Sequence, residues 1–162
     1  MTTPYLEQNN MQLLNLNKLV FALFMGLVIN GCTEYTLVDS QPGPPFIEYV
    51  DIQPREVKEF SDSILITFKY SDPDGDLGTE SPDQKTLSIH DLRLQNADKQ
   101  HVSLLAPIDS KIDISGILTV KLKNTFLLGS NDEEKTTYEL ILTDRAGNAS
   151  NPIVTDEITI KR

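Results

Sequence analysis

The sequence predicts an all-β domain, a single β-sandwich of about seven strands over residues 46–162. Three observations carry this prediction. Apolar and polar residues alternate with a period of two after residue 45, as in strands with one buried face. Pro, Gly, Asp and Asn separate the alternating segments at short intervals, as in sandwiches. No segment after Cys32 has a useful length of apolar residues at helical spacing.

The strands follow in chain order from this alternation. In residues 63–70, for example, Ile64, Ile66 and Phe68 fall on one face. The last strand is predicted from two short apolar pieces with a bulge at Asp156 and Glu157. Residues 132–134, Asp-Glu-Glu, are predicted to form a solvated turn. The predicted strands are residues 46–52, 63–70, 87–94, 102–105, 117–122, 138–143 and 153–160.

Residues 138–151 resemble a known family. Tyr138 stands near the start of the penultimate strand, and a D-x-A-G-N turn from Asp144 to Asn148 follows it. This arrangement resembles bacterial immunoglobulin-like or fibronectin-III-like modules. The resemblance implies structural roles for Tyr138, Arg145 and Gly147. Tyr138 is either a tyrosine corner, bonded through its hydroxyl to upstream backbone, or a plain core residue. A disulfide-type immunoglobulin domain is excluded because the chain has one Cys.

The first thirty-one residues predict a signal peptide. Residues 19–29 are eleven consecutive apolar residues behind Lys18, and a membrane-spanning helix needs about 20. The sequence from Met11 onward is a compact signal by itself, which favours translation from that Met. Residues 29–32, Ile-Asn-Gly-Cys, resemble the lipobox of bacterial lipoproteins. The resemblance implies cleavage before Cys32 and a covalent lipid on its sulfur.

The residues after the signal predict a location and a tether. Asp after the lipidated Cys is the usual inner-membrane retention signal, and Thr33 stands there instead. The resemblance therefore implies the outer membrane of a diderm bacterium, and the side that the domain faces is left open. Residues 32–45 are predicted to be the lipidated Cys and a flexible Pro-rich tether, since Pro42, Pro44 and Pro45 favour extended chain.

Composition excludes several function classes. The net charge is −10, from 14 basic and 24 acidic residues, whereas nucleic-acid binding needs a basic face. Trp is absent and aromatics are 7% of the chain, which disfavours a base-stacking platform. A single Cys excludes a Cys-rich zinc site. No nucleic-acid partner is expected.

The outstanding local motif is an acidic loop after the second predicted strand. Asp72, Asp74 and Asp76 stand at alternate positions, as at the start of a Ca²⁺ loop, and Asp83 falls at its twelfth position. Leu77 occupies the sixth position, where an EF-hand has Gly, and no helices flank the loop. The motif favours a turn whose acids are solvated or bond their own backbone, and the alternative is a shorter Ca²⁺ site on a β-scaffold.

A second loop is expected at the same end of the sandwich. It precedes the last strand and holds Asp144, Asn148 and Asn151. Two explanations compete there. Either Ca²⁺ bridges both loops, with Asp144 and Asn148 as further ligands, or Arg145 forms an ion pair with an acid of the first loop.

The function predicted from these features is a non-enzymatic binding or structural accessory module of the cell envelope. The membrane is reached through the lipid, and the end loops would contact an envelope protein or a glycan. One alternative is a divalent-metal-dependent hydrolase on Asp72, Asp74 and Asp76, although no base is evident near them. Another is a glycan-binding surface lipoprotein. His90 and His101 are expected to be surface residues.

Overall fold

The computed structural model describes residues 42–123 and 125–162. Within them the chain forms strands and no helix, so the all-β prediction is confirmed. The predicted signal peptide, Cys32 and most of the tether lie outside the described residues. The strands are β1 (Phe46–Gln53), β2 (Glu56–Lys58), β3 (Ile64–Asp72), β4 (Leu87–Asp91), β5 (Asp98–Gln100), β6 (Ile114–Leu122), β7 (Glu133–Thr136), β8 (Tyr138–Leu142), β9 (Ile153–Val154) and β10 (Ile158–Lys161).

The strands form three sheets. One sheet has the order β1-β3-β6, a second has the order β5-β4-β8-β9, and a third has the order β2-β10-β7. All neighbouring pairs are antiparallel except β2 and β10, which are parallel. This arrangement is consistent with a small β-sandwich.

The core follows from the period-two pattern. On β3, Ile64, Ile66 and Phe68 have no exposed surface, while the alternate residue Leu65 is 45% exposed. Strand β8 shows the same alternation in its burial. One continuous apolar cluster includes buried residues from all three sheets. Burial of these side chains is the main favourable term for the fold.

The last predicted strand, with its bulge at Asp156 and Glu157, is instead two strands. Strand β9 pairs with β8 in one sheet, β10 pairs with β7 and β2 in another, and residues 155–157 between them belong to no strand. Thr155 lies between β9 and β10. Its amide donates to the Tyr138 carbonyl, and its hydroxyl oxygen accepts from the Tyr138 amide. The segment predicted as one strand therefore contributes to two sheets.

Two further local predictions are wrong. Residues 102–105 form no strand; Ser103 makes one isolated bridge to Thr79, and the amide of Leu105 donates to the Leu77 carbonyl. The strand of this region is β5, which is polar. Glu134 lies in strand β7 and not in a solvated turn, because the Arg93 guanidinium holds it at 2.8 Å.

Tyr138 is a core residue. Its side chain is buried, and burial raises the pKa of its phenol. Among the described residues no hydrogen bond joins its hydroxyl to upstream backbone. The tyrosine corner is therefore the wrong alternative.

The chain enters the domain at the end that carries the acidic motif. Phe46, the first residue of β1, pairs with Ser71 next to Asp72. The Asn151 side chain fixes this position, because its Oδ1 accepts from the amide of Ile47 and its Nδ2 donates to the Ile47 carbonyl, both at 2.9 Å. We call this part of the domain, with residues 72–78 and 144–148, the acidic end.

Candidate metal centre

Three carboxylates converge at the acidic end. Asp72, Asp76 and Asp144 each offer an oxygen, and these oxygens lie within 4.8 Å of one another. Asp72 is the last residue of β3, Asp76 lies in the loop after it, and Asp144 follows β8. The prediction that the two loops lie at one end is therefore confirmed.

The first loop is folded back by its glycines and by one buried side chain. Gly75 and Gly78 adopt φ angles of 70° and 80°, a region that favours glycine. Leu77 between them is fully buried and ties the loop to the core. The amide of Asp76 donates to Oδ2 of Asp72 at 2.8 Å, so the loop closes on its own first acid.

The second loop presents Asp144 and holds the first loop. The backbone amide of Asn148 donates to Oδ1 of Asp144 at 2.7 Å, and its Nδ2 donates to Oδ2 at 2.8 Å. The amide of Ala146 donates to Oδ2 of Asp76 at 3.0 Å, and the amide of Arg145 donates to the Asp76 carbonyl at 3.2 Å. Backbone amides and the Asn148 side chain thus donate to both oxygens of Asp144 and to Oδ2 of Asp76.

Three other carboxylate oxygens have no donor. The Oδ1 atoms of Asp72, Asp74 and Asp76 are buried and without a hydrogen-bond partner. Asp72 has no exposed surface at all. A buried carboxylate oxygen without a partner is strongly unfavourable, and a cation or a proton relieves it.

The electrostatics of the site agree with this geometry. Burial, followed by the nearby carboxylates of Asp74, Asp76 and Asp144, raises the pKa of Asp72 to about 6. Burial and the carboxylates of Asp144 and Asp74 also raise the pKa of Asp76. The protein alone therefore does not supply enough positive charge or hydrogen-bond donors for these groups.

Arg145 does not neutralise the acids. Its guanidinium donates to backbone carbonyls, at 3.1 Å to Gly78, 3.3 Å to Ile108 and 3.4 Å to Leu77. Among the described residues it forms no ion pair with an acid of the first loop. The predicted ion pair of Arg145 is therefore wrong, although its positive charge lowers the pKa of Asp76 and so opposes part of the rise that burial causes.

The remaining predicted ligands lie differently. Asp83 is exposed in a separate turn and lies outside the acid group. Its amide donates to Oγ of Ser81 at 3.4 Å. Asn148 contacts Asp144 and positions it. Gly147 has a φ angle of 93°, as its place in the turn requires. The acids therefore do not converge through the twelve-residue spacing that made Asp83 a predicted ligand.

A cavity of about 430 Å³ lies beside the acids. Sequence reasoning missed its outer wall, since that wall comes from a strandless segment with no motif of its own. It is lined by Pro42, Asp74, Asp76, Ile108, Asp109, Ser110, Lys111 and Arg145.

Sequence reasoning also missed a second charged cluster, far from the acids in the chain. Arg93 contacts Asp91 at 2.7 Å and Glu134 at 2.8 Å, and all three side chains are at most 15% exposed. Arg93 also donates to the Phe126 carbonyl, and Thr136 donates to Asp91 at 2.6 Å. Every charge in this cluster has a partner, so its role is structural.

Both histidines are bonded to backbone. Nε2 of His90 lies 2.9 Å from the Leu94 carbonyl, and Nε2 of His101 lies 2.8 Å from the Thr79 carbonyl. Neither belongs to the acid group. The alternative of a hydrolase gains no base from them.

Comparisons with protein-family models, curated proteins and solved structures gave no significant match to the chain. In residues 42–123 and 125–162 the chain has no helix with the length and apolarity needed to cross a membrane. The fold alone defines the class of this protein: the described residues form a small all-β domain with an acidic end.

Proposed function

We propose that this chain is a lipid-anchored, non-enzymatic binding module whose end loops are held together by a divalent cation, with Ca²⁺ as the preferred ion. The observation that supports the cation is the setting of Asp72 and Asp76. Each has a buried carboxylate oxygen without a donor, and both converge with Asp144 of the second loop. The third orphan oxygen belongs to Asp74, which lies outside this group of three. Ca²⁺ accepts six to eight oxygen ligands in flexible geometry. Bound between Asp72, Asp76 and Asp144, the ion would replace mutual repulsion with attraction.

The burial of Asp72 supports a structural cation over a catalytic one. The orphan oxygens are shielded from solvent, and Asp72 is fully buried. Metal-assisted hydrolysis needs an open coordination position for water or substrate and a base beside it. A cation held by the buried Asp72 instead fixes the loops around it, which suits a binding or accessory module.

The contact surface that we propose is the acidic end itself. Its cavity falls within the size range of small-ligand sites and combines charged residues with Ile108 and Pro42. Its partner is an envelope protein or a glycan. The cation fixes the wall that Asp74 and Asp76 give to this cavity.

The proposal includes an immunoglobulin-like or fibronectin-III-like family and a location at the outer membrane. The sheet orders β1-β3-β6 and β5-β4-β8-β9 separate the strands as an immunoglobulin-like or fibronectin-III-like sandwich would. The lipobox resemblance at Cys32 supports a lipid anchor in the outer membrane.

Thermal unfolding with and without Ca²⁺ tests the cation. A ligand that binds only the folded state at a hundred times its Kd adds about 2.7 kcal/mol. For a domain of this size such a gain raises Tm by about 10 °C. Asp72→Asn should abolish the rise, because it removes the buried charge at nearly constant volume.

Asp83→Asn is the matched control. Asp83 is exposed and outside the acid group, so its variant should keep the full rise in Tm. A protein whose Tm does not respond to millimolar Ca²⁺, or an Asp72→Asn variant that responds like the wild type, would contradict the proposed cation.

A further inference from the structure

Strand β6 leaves one edge of the three-stranded sheet unpaired within the described part of the chain. Ile114–Leu122 pairs with β3 through nine successive residues without a shift in register. No described strand pairs with its other side, although the carbonyl of Lys121 on this strand accepts from Nε2 of Gln100 at 3.3 Å. A row of backbone amides and carbonyls on such an edge is matched best by another extended chain.

This edge has few of the features that protect sheet edges. It contains no Pro and no bulge, and Lys121 is its one charged residue. Strand β1, at the opposite edge of the same sheet, is different. Its register shifts between Tyr49 and Asp51, and it carries the acids Glu48 and Asp51. The two edges are therefore unequal, and β6 is the one suited to pairing.

The side chains of β6 are also incompletely covered. Ile117 is 65% exposed on the outer face. On the inner face, Leu118 and Val120 are only partly buried, whereas Phe68 and Ile66, their partners on β3, are fully buried. A further strand beside β6 would cover both faces.

We propose that β6 pairs with β6 of a second copy of this chain, antiparallel and centred on Ile117. In this register Ile117 faces its own counterpart, and Ser115 faces Thr119. Asp113 faces Lys121 at both ends of the contact, so each acid meets a base. The two sheets then become one sheet of six strands around a two-fold axis.

The charges select this arrangement over its alternatives. A parallel pairing in register would place Lys121 beside Lys121, which is unfavourable. An antiparallel pairing centred on Thr119 would set Lys121 opposite Ile117 and leave Asp113 without a base. A single strand pair buries less area than a standard stable interface, so we expect an association that depends on protein concentration.

Disulfide trapping tests the register. In the full chain carrying Cys32→Ser, Ile117→Cys should give a product of twice the monomer mass under oxidising conditions. Directly opposed residues of an antiparallel pair have the Cα separation that a disulfide requires. Ser115→Cys is the matched control on the same face, and alone it should stay monomeric. A mixture of Ser115→Cys and Thr119→Cys chains should form the mixed dimer.

Charge reversal provides a second readout. Lys121→Asp in the Ile117→Cys chain should reduce the yield of cross-linked product, because it sets acid against acid, and Asp113→Lys added to it should restore the yield. The proposal is overturned if Ile117→Cys stays monomeric, as it would if residues 33–41 of the same chain covered the edge. Equal cross-linking by Ser115→Cys alone would overturn it as well, since that result indicates random collision.

Discussion

The two oxygens of Asp72 have opposite surroundings, and this contrast defines the candidate site at the scale of the residue. Oδ2 accepts a backbone hydrogen bond from Asp76, while Oδ1 is buried without a donor. The sequence predicted the acids by their alternate spacing. It could not predict which oxygens would be orphaned, because the donors come from the fold of both loops.

The raised pKa of Asp72 predicts a pH dependence in the presence of a chelator. The pKa is about 6 in the folded protein and 3.8 as its ordinary value, so the folded state holds the proton more tightly. The stability that this proton contributes is complete below pH 4 and is lost as the pH rises to 6. Urea unfolding should therefore show the stability of Asp72→Asn, relative to wild type, rising across this window.

The difference between the two proteins is the quantity to measure. Asp91 and Asp156 have lowered pKa values and give the opposite trend in both proteins alike. A difference in the free energy of unfolding that stayed constant between pH 4 and pH 6 would show that Asp72 is not perturbed.

Gly78 and Gly147 provide a matched pair of substitutions. Both adopt positive φ, but a Cβ on Gly78 would collide with the carbonyl oxygen of Ser103, and a Cβ on Gly147 would meet nothing within 4 Å. Gly147→Ala should cost about 1 kcal/mol from backbone strain alone. Gly78→Ala should cost clearly more in the same denaturation assay. Equal costs would contradict the close approach of the two segments.

The two glycines also differ in how far the sequence could predict them. The turn motif around Gly147 indicated a structural glycine from its neighbours alone. The need for glycine at position 78 arises from Ser103, which lies far along the chain. The sequence also could not predict the positive φ of 56° at Phe60. Its amide donates to the Thr125 carbonyl and its ring stacks on Phe126, and both partners lie far along the chain.

At the scale of the element, strand β7 is held in position by the charged and polar contacts of Glu134. Its residues are mostly polar, and Glu134 accepts from Arg93 and from the amides of Leu128 and Gly129. Alternation of apolar residues predicted β1, β3, β6 and β8 because their side chains pack in the core. It missed β7 and β5, which carry no such pattern.

Arg93→Met tests this account of β7. Removal of the guanidinium takes one partner from Glu134 and leaves the carboxylate of Asp91 without its cation. For Asp91, the loss of one member of a buried charge pair costs about 3 kcal/mol. Chemical denaturation measures this loss. Hydrogen exchange should show the amides of 133–136 losing protection first.

Lys161→Met is the control for Arg93→Met. Lys161 forms an ion pair with Glu56 at 2.7 Å, but both side chains are exposed, and such pairs contribute little. If both variants lost the same stability, the buried cluster would have no special role in the position of β7.

At the scale of the whole molecule, the chain enters the domain at the acidic end. Phe46 pairs next to Asp72, and Asn151 clamps the first residues of β1 to the second loop. The strand pattern predicted this common end, since alternate loops of a sandwich lie together.

Cys32→Ser tests the proposed anchor in cells. Without the thiol no lipid can be attached, so the protein should move from the membrane fraction to the supernatant. Wild type and Ser110→Ala, a change remote from the signal, should remain with the membrane. Retention of Cys32→Ser in the membrane fraction would show that another feature attaches the chain.

The most direct test of the central claim is a calorimetric titration of the metal-free protein with Ca²⁺. Convergence of Asp72, Asp76 and Asp144 predicts one ion per chain, and it predicts that the binding heat disappears in Asp72→Asn and persists in Asp83→Asn. A titration without binding heat at several temperatures, or a stoichiometry unchanged in Asp72→Asn, would contradict the claim that a cation joins the two loops.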